Sequence, residues 1–405
     1  MSRARAMGLG LALLSGLACR ATPQAGGEAV VAQVATVSGD AGLPPPRVLD
    51  GGEKIATHEA LYELLYLNGL CVRIAGAVHC RQKVTPEQPL VNEPPTLGRL
   101  GSPALTSVAF GRDFGCATTQ GGEVLCQGGN DRGQLGAGLR ATRHDLPLTV
   151  TAVHGASRVF AGGFTACALL GDGRLSCWGK NDAGENGSST NYLSAARELV
   201  LPEVVRGVSD VTSVAMAWDT TCAVTRQHEV YCWGRARTEQ QRTQRGETNE
   251  SPVRIDALMG TTFLTANEGA FCAVIGGDVR CFGDASSLVA SEEAFGGGQD
   301  RVSRLHVKNA RKVSLGGSHG CVLDADGSVF CFGLDSDGVL GKPSLNDYTP
   351  HLPEKIEGLP RAVDIVCGGA LSCAVTVNDE TWCWGRFSWA EQGAQSTPTK
   401  VKIVD

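Results

Sequence analysis

Fourteen of the sixteen cysteines in this 405-residue chain fall into pairs nine or ten residues apart: Cys71/Cys80, Cys116/Cys126, Cys167/Cys177, Cys222/Cys232, Cys272/Cys281, Cys321/Cys331 and Cys373/Cys383. Thiols offer three chemistries: nucleophilic attack, metal ligation and disulfide formation. The spacing selects the third. Each pair brackets one turn. In the ten-apart pairs the midpoint falls on a residue, which suits a three-residue hairpin loop whose last residue is left-handed; that residue is Gly122, Gly173, His228, Gly327 or Asp379. In the nine-apart pairs the midpoint falls between Ala75 and Gly76 or between Gly276 and Gly277, which suits a two-residue turn. One residue is lost, the turn changes, and the cysteines still face each other. Directly opposed residues on antiparallel strands are close enough for a disulfide. Seven disulfides are therefore expected, one per pair. The chain has no Cys-x-x-Cys, and pairs from different repeats lie too far apart to complete a tetrahedral set, so no metal site is expected.

The other reactive side chains form no constellation. The eight histidines (His58, His79, His144, His154, His228, His306, His319 and His351) show no Ser/His/Asp or metal-ligand spacing. His319 is expected to be packed and hydrogen-bonded. Asp324-Ala325-Asp326-Gly327 and Asp335-Ser336-Asp337-Gly338 resemble fragments of a calcium loop but lack its third acid and its distant Glu, so they are expected to be turns. No catalytic residue and no cofactor are expected. Cys367 stands outside the pairs and is expected to be a buried small residue, at the position held in other repeats by Gly162, Ala215, Ala266 or Gly316.

The elements that hold the pairs repeat with them. The first cysteines step by 45, 51, 55, 50, 49 and 52 residues, a period that signals a repeat architecture. Upstream of each pair lies an apolar run ending in small residues, as in VFAGGFTAC; downstream come Cys, one variable residue and Gly, as in CWG or CFG. A polar glycine-rich loop follows, clearest as GGNDRGQLGAG (128–138), GKNDAGENG and GLDSDGVLG, and a Pro-flanked strand ends most units. About four short antiparallel strands per unit are too few to bury their own faces, so units must pack radially on one another. The 53 glycines, about 13% of the chain against a usual ~7%, agree with a turn-rich all-β protein.

The chain opens with a different kind of segment. A short basic stretch (Ser2 to Arg5) precedes twelve apolar residues, Met7 to Ala18, the length of a secretory signal core and too short to span a bilayer. It ends at Ala18-Cys19, which resembles the bacterial lipoprotein signal, with Cys19 as the lipid attachment site. Gly16 stands where that signal usually has Leu. Arg20, in place of Asp, implies the outer membrane; a periplasmic or secreted location is the alternative. Residues 1–19 thus read as a lipoprotein-type signal peptide, 20–47 as a flexible tether ending in three prolines, and 48–405 as the folded domain. Its expected units are 48–100, 101–155, 156–208, 209–258, 259–308, 309–360 and 361–405. Loss of Arg3 and Arg5 with the signal leaves 34 basic against 42 acidic side chains, which argues against nucleic acid as a partner.

The repeats resemble those of the regulator of chromosome condensation family. LGGSHGCVL (315–323) approximates its small-Gly-Gly-x-His stretch, and GNDRGQLG (129–136) matches its loop after the aromatic-Gly. The resemblance covers roughly 58–405 and implies a seven-bladed β-propeller of RCC1-type repeats, closed near its start by the C-terminal STPTKVKIVD as the last outer strand. It does not fix a function. Members of that family include a nucleotide exchange factor, a plant ultraviolet photoreceptor and a secreted β-lactamase inhibitor. The expectation is a non-catalytic, lipid-anchored, monomeric scaffold that binds an unidentified protein in the cell envelope. The alternative is an inhibitor or regulator of a periplasmic or secreted enzyme; a third class is an enzyme with its site at the propeller mouth.

Overall fold

The computed structural model describes residues 58–64, 69–74, 77–81, 105–138, 143–187, 198–236, 248–286, 288, 294–295, 302–343, 349–386 and 394–401. All of them belong to one compact unit, Asp40–Asp405. Residues 1–57, and with them Cys19, the signal and the tether, lie outside the described residues. For 58–81 only the backbone is described.

The described chain is built of antiparallel sheets in sequence order, with one short 3-10 helix at Asp256–Leu258. Sheets two, three, four, six and seven are four-stranded meanders. Sheet one shows three strands, and sheet five has five, correcting the expectation of four there: Ala294–Phe295 adds to the outer edge of Val302–Leu305. The extra strand has a physical reason. The outer strands of sheets two, three, four, six and seven each carry a proline, namely Pro147, Pro202, Pro252, Pro353 and Pro398. Proline offers no N–H to a new strand and so blunts an exposed edge. Val302–Leu305 has none, and it is the edge that another strand covers.

The first strand of each sheet contacts the first strand of the next, and that of sheet one contacts those of sheets two and seven, so the inner strands form a cycle of neighbours. Side chains then have to be buried on both faces. The described cores are each drawn from two consecutive sheets. The period-two alternation of a strand decides which neighbour each side chain meets. On the third strand of sheet four, Cys232 packs toward sheet five and Trp233 toward sheet three.

The turn expectations hold wherever the turn is described; Ala75 and Gly76 lie outside the described residues. Gly122, Gly173, His228, Gly327 and Asp379 all have φ between 60° and 82°. Gly276 and Gly277 both have positive φ, and Ile275 pairs with Asp278 across them, the two-residue mirror-image turn that matches strand twist. These turns also join sheets. The carbonyls of Gly122, Gly173, His228, Gly277 and Gly327 accept the N–H of Ala156, Val211, Gly260, Ala310 and Ala362 at 2.8–3.0 Å, next to or at the start of the following sheet.

Candidate interaction face

In every pair the two cysteines are register partners. Six pairs are bonded, with Cα atoms 4.0–4.1 Å apart: Cys116–Cys126, Cys167–Cys177, Cys222–Cys232, Cys272–Cys281, Cys321–Cys331 and Cys373–Cys383. The side chains of Cys71 and Cys80 lie outside the described residues. The bonds tie second strand to third and sit in the contact between sheets. Replacing Cys272 and Cys281 together by Ala opens a closed loop of about ten residues. The chain-entropy model puts the cost at roughly 2–3 kcal/mol. A urea midpoint unchanged from wild type would overturn that expectation.

Cys367 is buried and outside the disulfides, but its place differs from the sequence expectation. In sheets two to seven the register partner of the first cysteine lies seven residues upstream, as Val366 does for Cys373. One residue nearer, Cys367 therefore matches Phe110, Ala161, Met216, Ala266 and Leu315. Gly162 and Gly316 fall one position later and Ala215 one earlier. The slot is apolar and accepts side chains of any size, because it packs between sheets.

His319 is buried, with Nε2 2.8 Å from Ser372 Oγ, which itself donates to the Val339 carbonyl at 3.2 Å. With the hydroxyl proton on Val339 O, the imidazole donates from Nε2. His319 and Ser372 are each 1% exposed, so this pair faces no substrate. Burial holds the imidazole pKa down at about 4. The Asp324 carboxylate caps its own turn by accepting from Asp326 N and Ser328 N at 2.9 and 2.8 Å. Asp337 and Gly338 are left-handed turn residues. Among the described residues no group of three His, Cys, Asp or Glu could hold a metal ion.

The two ends of the sheets differ. Turns between second and third strands, and the crossovers from sheet two onward, span two to six residues, and they carry the intersheet hydrogen bonds above. At the other end, connections between third and outer strands span nine to eighteen residues. Antiparallel order places the short loops between first and second strands at that same end. These loops form a rim. Arg112 N donates to Gly163 O at 2.8 Å, Trp218 N to Glu268 O at 3.1 Å, and Gly317 N to Gly369 O at 3.0 Å. Asn267 Nδ2 adds bonds to the Gly316 and Gly317 carbonyls at 3.0 and 3.2 Å. Gly163 has φ +52°, and a Cβ there would stand 2.9 Å from the Trp218 carbonyl, so only glycine lets these loops meet.

On this rim the Arg112 guanidinium lies 5.6 Å from the Phe164 ring centroid and 5.1 Å from that of Trp218. Trp218 is 38% exposed, whereas Trp178, Trp233 and Trp384 are fully buried. Asp219 pairs with Arg235 at 2.5 Å, and Asp113 accepts from Gln134 Nε2 at 3.1 Å. Sequence reasoning did not single out Arg112, Phe164 or Trp218. They belong to three different repeats, and only the ring order brings them together.

On the opposite face a cavity of about 360 Å³ is lined by Gly207–Asp210, Thr225, Gln227, Glu229 and Tyr231. Of its two acids, Glu229 accepts from the Tyr231 hydroxyl at 3.2 Å and pairs with Arg254 at 3.3 Å. At the inner strands, Lys312 and Asp364 form an ion pair at 2.5 Å between sheets six and seven.

The sequence model described as "Regulator of chromosome condensation (RCC1) repeat" matches residues 326–375, and a second model of the same description matches 156–185, 211–237 and 310–339. The chain is 26% identical over 313 residues to the mitochondrial RCC1 domain-containing protein RUG3 of Arabidopsis thaliana, covering 72% of this chain and 69% of that one. It is 25% identical to the E3 ubiquitin-protein ligase HERC2 of Homo sapiens over 74% of this chain, but spans only 6% of that protein's length. It is 24% identical to the ultraviolet-B receptor UVR8 of Arabidopsis thaliana, covering 77% of this chain and 61% of that one. Among solved structures, human WBSCR16 superposes with a TM-score of 0.64 at 20% identity, covering 82% of this chain and 87% of that one. Prp20p of Saccharomyces cerevisiae superposes with the same score at 17% identity, covering 91% and 89%.

Proposed function

The chain is a β-propeller of RCC1-type repeats, and on that premise we propose that it is a non-catalytic, lipid-anchored, monomeric scaffold of the bacterial cell envelope whose long-connection face binds a protein partner. The observation that carries this reading is the asymmetry of the two faces. One is made of short turns committed to joining sheets. The other gathers the long connections and an exposed Trp beside an exposed Arg on a disulfide-tied frame. Loops on a rigid scaffold are where binding residues concentrate, and Trp and Arg dominate interface hot spots. Protein binding also accords with yeast Prp20, solved once bound to Kap60 and once with its binding to Gsp1p and histones. Export and lipidation at Cys19 rest on the sequence signal, and six disulfides suit an oxidising compartment.

The test is capture of envelope and secreted proteins by the detergent-solubilised full chain and by its Trp218→Ala variant. A stoichiometric protein kept by the wild type and lost by the variant is expected. A partner held equally by both would move recognition off this face, and an enzyme as the partner would favour a regulatory role. Metabolic labelling with palmitate should mark the wild type but not Cys19→Ala; equal labelling would sink the anchor.

A further inference from the structure

Arg112 is unlike the other cations for which this face shows an ion pair. Arg235 pairs with Asp219, Lys180 with Glu185 and Arg386 with Asp337. Arg112 is exposed, yet its guanidinium makes no hydrogen bond or ion pair among the described residues; it lies over the Phe164 and Trp218 rings. Those contacts leave its donors unused. A ring engages the flat face of a guanidinium, while all five N–H bonds lie in its plane and point outward from its edge. Lodging against two rings also restricts a side chain that would otherwise lose entropy on binding. No described acid forms an ion pair with Arg112: Asp219 pairs with Arg235, and Asp113 accepts from Gln134.

We propose that this rim recognises a carboxylate side chain of a protein partner, with Arg112 binding it edge-on and Trp218 packing against an apolar side chain next to it. The inference rests on the reading of this face as protein-binding. A protein carboxylate is preferred to a small anion because Arg112 and Trp218 stand exposed on the rim, and small ligands need concavity. It is preferred to a phosphate-rich surface because the chain is acidic overall and Arg112 stands without a second described cation at the rings.

The probe is a library of random twelve-residue peptides displayed on phage, panned on the immobilised full chain. Peptides enriched in Asp or Glu beside an aromatic or aliphatic residue are expected. Affinity of a synthetic selected peptide should fall at least tenfold on Arg112→Gln, less on Arg112→Lys, and at least tenfold when its own Glu becomes Gln. Combining R112Q with the Gln peptide should cost little more than either alone, since both remove one contact. Peptides that need Trp218 but neither Arg112 nor an acid would overturn the carboxylate while leaving the face intact. Peptides indifferent to both Arg112→Gln and Trp218→Ala, or no selected peptides, would overturn the inference together with the reading it rests on.

Discussion

Trp233→Ala is expected to lower stability by about 3–5 kcal/mol, the range for emptying a fully buried indole site, and Trp233→Phe by about 1–2 kcal/mol. Trp233 is fully buried between sheets three and four, and its indole N–H donates to the Glu185 carbonyl at 2.9 Å. The same carbonyl accepts from Thr221 Oγ1 at 2.9 Å. Glu185 belongs to the glycine-rich loop of the preceding repeat, so the tryptophan of one repeat locks the loop of the one before it. The arrangement recurs: Trp178 donates to Gln134 O and Trp384 to Val339 O, both at 2.9 Å. Each locked loop ends in a glycine of positive φ (Gly136, Gly187, Gly341), and a Cβ at Gly136 or Gly187 would press on the indole. Where the preceding loop departs from the motif, in repeats four and five, the next repeat carries Phe282 or Phe332 instead. Phenylalanine fills the space and makes no hydrogen bond. Trp233→Phe thus removes the bond while keeping part of the ring packing. Urea midpoints of the two variants measure both terms. Equal costs would mean that the ring packing is incidental, and a neutral Phe would mean that the indole bond contributes nothing.

This pairing of Trp with the preceding loop explains what was and was not legible in the residues. The hairpins were, because a cysteine pair that keeps its facing register through a loop deletion leaves few geometries open, and the left-handed positions follow from it. The all-β repeat architecture followed from the period. The tryptophans were visible only as packing residues: their donors act across a repeat boundary, which a repeat-by-repeat alignment conceals. Another feature hides inside the unit. The inner strand of every sheet has an irregular register near its start, and at that place Thr106, Ser157, Thr212 and Thr262 donate to second-strand carbonyls at 3.1–3.4 Å. A hydroxyl ten residues before the first cysteine was the available signal. The slot of Cys367 was misplaced because small residues on either side invite a one-residue slide, which the strand register forbids. Arg112 and Trp218 were beyond reach for a simpler reason. Fifty-one to fifty-five residues separate successive repeats there, and spacing alone does not say which rings lean on which cation.

The second large effect is a loss of stability on acidification that His319 carries. Its imidazole is neutral, buried and bonded through Nε2 to Ser372, and burial lowers its pKa from 6.5 to about 4. The unfolded chain therefore binds a proton at a higher pH than the folded one. The contribution is fully present above pH 6.5, falls as pH drops from 6.5 toward 4, and is constant below that. The shift corresponds to about 3 kcal/mol across the window. Nδ1 has no partner among the described residues, so protonation there would place an uncompensated charge between sheets six and seven. Carboxylates elsewhere also titrate near the lower end of this window, so the decisive quantity is a difference. Urea unfolding free energies of wild type and His319→Gln, measured at pH 7.5, 5.5 and 4.5, should converge as pH falls, because glutamine keeps an N–H donor and takes no proton. The variant starts less stable and loses less. Parallel curves would show that His319 is either accessible to water or free to leave its site when charged, and the sheet-six-to-seven contact would then be looser than its burial indicates.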